Sequence, residues 1–176
     1  ESNVDALRAI DALVQGQVDL LVLLTGVGTR ALLEVVDRLR DRTAFLEALG
    51  RLRIAARGPK PVAVLRELGL TPWLVAPEPN TWRDLMAALD SAVGTDGLRG
   101  LRLAVQEYGA SNTALLEALA TRGAVVTRVP VYRWALPDDI GPLVAAARAI
   151  AAGEVDVVLL TTAMQVVHLL QVAEYA

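Results

Sequence analysis

The chain contains no cysteine and one histidine, His168, among its 176 residues. Disulfides and thiol chemistry are excluded, and no zinc-type ligand set can be assembled, so no metal site is expected. Aromatic residues make up only 4%, with a single Phe, so Ala, Leu and Val must fill the interior. No apolar run reaches the roughly 18–20 residues that a membrane span requires. No charged segment followed by an apolar one reads as a signal peptide. The formal charge of −3 leaves no basic footprint of the kind that accompanies nucleic-acid binding. A chain of this type is expected in the cytoplasm, with no membrane and no nucleic-acid partner.

What is present is aliphatic and regularly punctuated. Hydrophobic residues make up 54% and charged residues 21%, enough for one ordinary domain or two small ones. The chain opens on Glu1 rather than Met, and helix-like spacing runs to Ala176 without a terminator. Both ends read as cuts within a longer protein.

Val4, Leu7, Ile10, Leu13 and Val14 stand at helical spacing over 3–15, and Gly16 ends the helix. Residues 18–24 are a continuous apolar run, the signature of a strand buried on both faces of a parallel sheet. A turn is expected over Thr25–Thr29, then a helix over 29–40. The alternation continues with a short helix at 44–49, a strand at 53–56, a helix at 60–68 and a brief strand at 74–75. Thr81 and Asp84 have the spacing of a capping box. A strand at 101–106, a helix at 111–122 and a strand at 125–131 follow. Alternating strands and helices of these lengths predict an α/β fold with a parallel, doubly wound sheet. Beyond a linker-like stretch at 133–137, a helix is expected at 140–152.

The sequence then repeats itself. Val18-Asp19 opens VDLLVLLTGVG, and Val155-Asp156 opens VDVVLLTTAMQ. At the same offset Gly16 meets Gly153, Leu13 meets Ile150 and Thr25 meets Thr162. Two readings stand: ordinary likeness between βα units, or two related α/β domains.

In open parallel sheets ligands bind beyond the carboxyl ends of strands. That directs attention to Thr25–Thr29, Arg57–Pro61, Glu107–Asn112, Tyr132–Arg133 and Thr162–Gln165. Helix starts there present unpaired N–H groups that attract carboxylates or phosphates. Thr25-Gly26-Val27-Gly28 lacks the third glycine of a dinucleotide loop and the lysine of a Walker loop, so a tight βα turn is the plainer reading. Arg57-Gly58-Pro59-Lys60 sets two cations at a helix start, as an anion site or as a solvated loop. His168 reads as a packing residue, Trp73, Trp82 and Trp134 as loop anchors, and Arg38–Arg42 as a solvated face. No Ser/His/Asp set or carboxylate pair can be assembled.

The order of segments carries a resemblance. Val-Asp, an apolar strand and a threonine turn precede RIAARGPKPVAVLRELGL at 53–70 and Pro77-Glu78-Pro79-Asn80-Thr81-Trp82. Leu115-Leu116-Glu117-Ala118-Leu119 then leads through Arg122-Gly123-Ala124 to Val129-Pro130-Val131-Tyr132-Arg133. Over nearly its whole length the chain resembles the uroporphyrinogen-III synthase family of tetrapyrrole biosynthesis.

The resemblance implies two similar doubly wound α/β domains joined by a two-stranded linker. Residues 1–131 would form the inserted domain. Residues 132–176 would form the linker and part of a second, discontinuous domain. The implied activity is a hydro-lyase cyclisation: hydroxymethylbilane loses water and closes to uroporphyrinogen III with ring D inverted, without metal or cofactor. Tyr132 matches the family's interdomain tyrosine, as proton donor to the departing hydroxyl or as a packing residue of the linker. The expected substrate-binding set is Thr25, Gly26, Val27, Gly58, Pro59, Lys60, Gly109, Ala110, Ser111, Thr162, Ala163 and Met164. The implied partner is a small linear tetrapyrrole polycarboxylate, bound by a monomer. Gly26 and Pro61 stand where family members commonly carry hydroxyls, which removes two possible contacts. The alternative is a non-catalytic tetrapyrrole- or anion-binding regulatory module with the same fold.

Overall fold

A computed structural model describes residues 4–94, 96–107, 109, 111–131 and 136–175. The chain divides into two compact units, Glu1–Arg133 and Trp134–Ala176.

In the first unit the opening amphipathic stretch forms α1 (Val4–Val14), which buries Ala6, Ala9, Ile10 and Leu13. The apolar run becomes β1 (Leu20–Leu23), buried at every position. Next come α2 (Gly26–Leu39), α3 (Arg42–Arg51), β2 (Arg53–Ala56), α4 (Pro59–Glu67) and β3 (Leu74–Val75). The unit is completed by α5 (Trp82–Val93), β4 (Arg102–Glu107), α6 (Thr113–Thr121) and β5 (Val125–Pro130).

The five strands pair in the order β3-β2-β1-β4-β5, and every pair is parallel. Leu20 of β1 stands opposite Arg53 on one side and Leu103 on the other. Side chains alternate across β1. Leu21 and Leu23 enter one core with α1–α4, and Leu20 and Val22 enter the other with α5 and α6. This is why the run shows no polar alternation: both faces of the strand are covered. The only phenylalanine, Phe45 of α3, is fully buried in the first core. Each fully buried Leu contributes about 1.5–3 kcal/mol of transfer free energy, so aliphatics alone suffice to hold the sheet. After β3 the chain crosses to the opposite face through α5 and returns beside β1 as β4. The gap between the carboxyl ends of β1 and β4 is therefore the switch point of a doubly wound sheet.

One expectation needs correction here and another refinement. The turn at Thr25–Thr29 is already helix: α2 begins at Gly26, with Thr25 as its cap, because the threonine hydroxyl replaces a missing backbone partner. The charged run Arg38–Arg42 is exposed throughout, as expected of a solvated face, but it spans the break between α2 and α3 rather than one helix. Asp41 caps α3 by accepting from the Thr43 and Ala44 N–H groups at 2.8 and 3.1 Å, while Arg40 grips Asp11 of α1 at 2.6 and 2.8 Å. The Thr81–Asp84 capping box is present as expected. Trp73 packs its ring against the Arg53 guanidinium, and Trp82 against that of Arg83.

The second unit holds α7 (Gly141–Ala151) and α8 (Ala163–Ala173). Its caps reproduce those of the first copy of the repeat. Gly16 and Gly153 both take left-handed backbone, at φ 69° and 73°. Their N–H groups donate to Leu13 and Ile150, each at 3.1 Å. Thr25 and Thr162 share one extended conformation, φ −146° and −142°, and each accepts from the N–H three residues on. The apolar run of the second copy, residues 155–160, does not follow β1: it forms no ladder, and Val157 and Leu159 are 70% and 85% exposed. A parallel strand takes its hydrogen bonds from neighbouring strands, and none among the described residues pairs with this run.

Candidate functional site

Three helix starts meet at the carboxyl edge of the sheet in the first unit. At the end of β1, Thr25 Oγ1 accepts from the Gly28 N–H at 3.0 Å, leaving the first N–H groups of α2, at Gly26 and Val27, without intrahelical partners. At the end of β2, Gly58 leads in extended backbone into Pro59, the first residue of α4. Pro59 and Pro61 carry no N–H, so Lys60 supplies the donor of that turn. At the end of β4, Asn112 caps α6 by accepting from the Leu115 N–H at 3.1 Å.

These starts approach closely because glycine permits it. A Cβ at Gly26 would lie 2.9 Å from the Lys60 carbonyl oxygen, and one at Gly58 would lie 3.0 Å from Asn80 Oδ1. Arg30 of α2 clamps Glu67 of α4 with two hydrogen bonds of 2.8 and 2.7 Å, holding the pair of helices in register.

Two grooves open between the helix starts. One, of about 410 Å³, is lined by Thr25, Gly26, Val27, Gly58, Pro59 and Lys60, together with Arg57 and Asn80. The other, of about 480 Å³, is lined by Ser111, Asn112, Thr113 and Ala114. They share Leu24, Thr25 and Arg57, and so form one trough. Its charged lining is Arg57 and Lys60, with no carboxylate. Arg57 is half-buried, and burial pulls its guanidinium below the ordinary arginine range. The trough can receive an anion through backbone donors, hydroxyls, amides and cations.

The last residue of β4 is a carboxylate. Glu107 is buried, accepts from the Ser111 hydroxyl at 2.6 Å, and pairs with Arg128 Nε and Nη2 at 2.9 and 2.8 Å. This contact raises the Arg128 guanidinium above its ordinary value. Beside it, Gln106 is fully buried under Gly28, its Nε2 donating to the Glu107 carbonyl at 2.6 Å.

Of the expected set, the first six residues share one groove, and Ser111 lines the adjoining one. Gly109 is placed elsewhere: it lines a separate hollow with Glu107, Arg128 and Pro130. Tyr132 and Ala110 lie outside the described residues. In the second unit Thr162 caps α8, Gln165 completes a capping box, and Met164 is half-buried in its first turn. Ala163 opens that helix. Arg57 was legible as one of two loop cations, but nothing in a chain with seventeen lysines and arginines marks it as half-buried without a carboxylate partner. Asn80 was missed as a lining residue, and Asn112 fell within the stretch singled out after β4 but outside the expected binding set. A cap signal three residues before Leu115 existed for Asn112. Among the described residues no cluster could hold a metal, and no helix is long and apolar enough to cross a membrane.

Comparison with known proteins agrees with this architecture. A family model described as uroporphyrinogen-III synthase HemD matches residues 1–176. The chain is 30% identical over 156 residues to the Bacillus subtilis (strain 168) protein named Uncharacterized protein YjjA, covering 89% of this chain and 56% of that protein. It superposes on the wild-type uroporphyrinogen III synthase of the extremely thermophilic bacterium Thermus thermophilus with a TM-score of 0.64 and 34% identity, covering 97% of this chain and 62% of the other. A second structure of Thermus thermophilus uroporphyrinogen III synthase gives 0.62 and 32%, covering 98% and 62%. The chain thus spans a little over half the length of these relatives. Strand order, helix starts and the match over the whole chain agree: the chain belongs to the uroporphyrinogen-III synthase family.

Proposed function

We propose that the protein carrying this chain is a uroporphyrinogen-III synthase. It converts hydroxymethylbilane to uroporphyrinogen III in the cytoplasm, eliminating water and inverting ring D. The observation that carries this reading is family membership across residues 1–176, joined to a cationic trough at the switch point of the sheet. A linear tetrapyrrole is a flexible polycarboxylate. Catalysis then requires that its two ends be held together while the terminal hydroxyl leaves, which is work for positioning rather than for a strong nucleophile. The N–H groups of Gly26, Val27 and Lys60, with the Thr25 hydroxyl, are suited to hold side-chain carboxylates, while Ser111 lines the adjoining groove with its hydroxyl proton on Glu107. Thr162, Ala163 and Met164 offer a second helix start of the same construction. Residues 1–131 are read as the inserted domain, and 132–176 as the linker and part of the second, in a monomeric protein.

Tyr132 is assigned as the general acid that protonates the departing hydroxyl. A positioned acid contributes on the order of a hundredfold or more to the rate, so Tyr132→Phe should lower kcat by that order. A variant with native turnover would reduce Tyr132 to a packing residue. The reading as a whole is tested by incubating the purified protein with freshly prepared hydroxymethylbilane and separating the isomers. Type III product is expected. Appearance of the spontaneous type I ring alone would overturn the synthase assignment and leave a tetrapyrrole-binding module in its place.

A further inference from the structure

The described arginines divide by their partners. Arg30, Arg40, Arg102, Arg122 and Arg128 each hold a carboxylate at 2.9 Å or less: Glu67, Asp11, Asp19, Asp90 and Glu107. Arg53 and Arg83 lie over tryptophan rings. Arg57 is different. It is half-buried, no carboxylate among the described residues pairs with it, and it belongs to the lining of both grooves of the trough. Its backbone is fixed by the sheet, since its N–H donates to the Leu23 carbonyl at 2.9 Å and continues the β1–β2 ladder. Burial of an uncompensated cation opposes folding, whereas a solvated cation costs nothing. A guanidinium held where three helix starts converge is presented to an anion that arrives with the ligand. Its planar fork matches a carboxylate through two parallel hydrogen bonds.

We propose that Arg57 is a specificity-determining residue of the trough, pairing its guanidinium with one side-chain carboxylate of the tetrapyrrole. The assignment rests on the reading of the trough as the carboxylate-binding edge of a synthase. It adds that the chain does not rely on backbone N–H groups alone: one carboxylate is selected at the junction of the two grooves, next to Thr25.

The test uses purified native protein, Arg57→Gln and Arg57→Lys. Three quantities are measured: the thermal midpoint without ligand, the midpoint shift caused by benzenehexacarboxylate, and KM and kcat with hydroxymethylbilane. Arg57→Gln is expected to keep or raise the ligand-free midpoint, because it removes a cation without a partner. It should lose the benzenehexacarboxylate shift and raise KM on the order of ten- to a hundredfold with kcat little changed, the range that charge-assisted hydrogen bonds account for. Arg57→Lys should recover part of the loss, since it keeps the charge but not the fork. A lowered ligand-free midpoint in Arg57→Gln, a retained shift, or a native KM overturns the proposal, as does native protein that the probe does not stabilise. If native protein forms no type III isomer while its probe shift still depends on Arg57, the synthase reading fails and the anion anchor stands. If native protein turns over and Arg57→Gln has a native KM, the synthase reading stands and Arg57 has no part in it.

Discussion

The side-chain amide of Gln106 lies directly against Gly28, where a Cβ would fall 1.9 Å from Nε2 and 2.8 Å from Oε1. Gln106 is fully buried on β4, and its Oε1 accepts no hydrogen bond among the described residues. The first turn of α2 therefore rests on a polar side chain that leaves no room for a methyl group. This contact sets how deeply the helix start descends toward the switch point.

Gly28→Ala separates packing from propensity. Helix propensity alone favours Ala over Gly by up to about 1 kcal/mol. Overpacking against Gln106 should win and leave a net loss of about 1–3 kcal/mol in urea denaturation. Combining it with Gln106→Ala opens the space. The double variant should be more stable than the sum of the single changes by about 1 kcal/mol or more. Additive losses would show that the two residues do not meet.

The Glu107–Arg128 pair is asymmetric, because the carboxylate side chain is 4% exposed and the arginine 56%. Arg128→Ala strands a buried charge and should cost about 2–3 kcal/mol, whereas Glu107→Gln leaves a solvated guanidinium and should cost about 1 kcal/mol. Chemical denaturation of both variants checks the order. Equal losses would mean that the carboxylate finds another partner when Arg128 is removed.

Acid stability should depend on Asp19. Its carboxylate accepts from Arg102 Nη2 at 2.7 Å, Nε at 3.0 Å and the backbone N–H at 2.8 Å, tying the amino ends of β1 and β4 together. Those bonds, the side-chain ones foremost, hold its pKa down at about 2. A carboxyl depressed by folding stabilises the native state above its unfolded value of about 3.9, and that contribution fades as pH falls toward the folded value. Asp19→Asn should flatten the fall of the thermal midpoint between about pH 4 and pH 2, with the loss already present at neutral pH. An unchanged acid limb would assign that fall to other carboxylates.

Much of the fold was legible because period and punctuation coincide. The unbroken run at 18–24 named a strand covered on both faces, and β1 is buried at each position. The Thr81–Asp84 spacing named a cap that forms. Boundaries slipped where a side chain rather than a periodicity sets them. Thr25 caps α2 and draws Gly26–Gly28 into the helix, although glycines at a strand end read as a turn. Asp41 likewise starts α3 within a stretch that reads as evenly charged surface. The apolar run at 155–160 shows the opposite failure. Its pattern equals that of β1, yet a parallel strand exists only where neighbours supply hydrogen bonds.

The sequence by itself determined the alternation of elements, the local caps and the strand ends where a ligand could sit, since these depend on residues within a few positions of one another. It determined in the same way the matched glycine and threonine caps of the two repeat copies. Only the tertiary structure decided which strand ends adjoin and that Arg57 is half-buried without a carboxylate. Strand order β3-β2-β1-β4-β5 places Arg57 and Asn112 on either side of Thr25, though they are far apart in the chain. Whether a cation is paired depends on those long-range neighbours, and their positions are a property of packing, not of spacing.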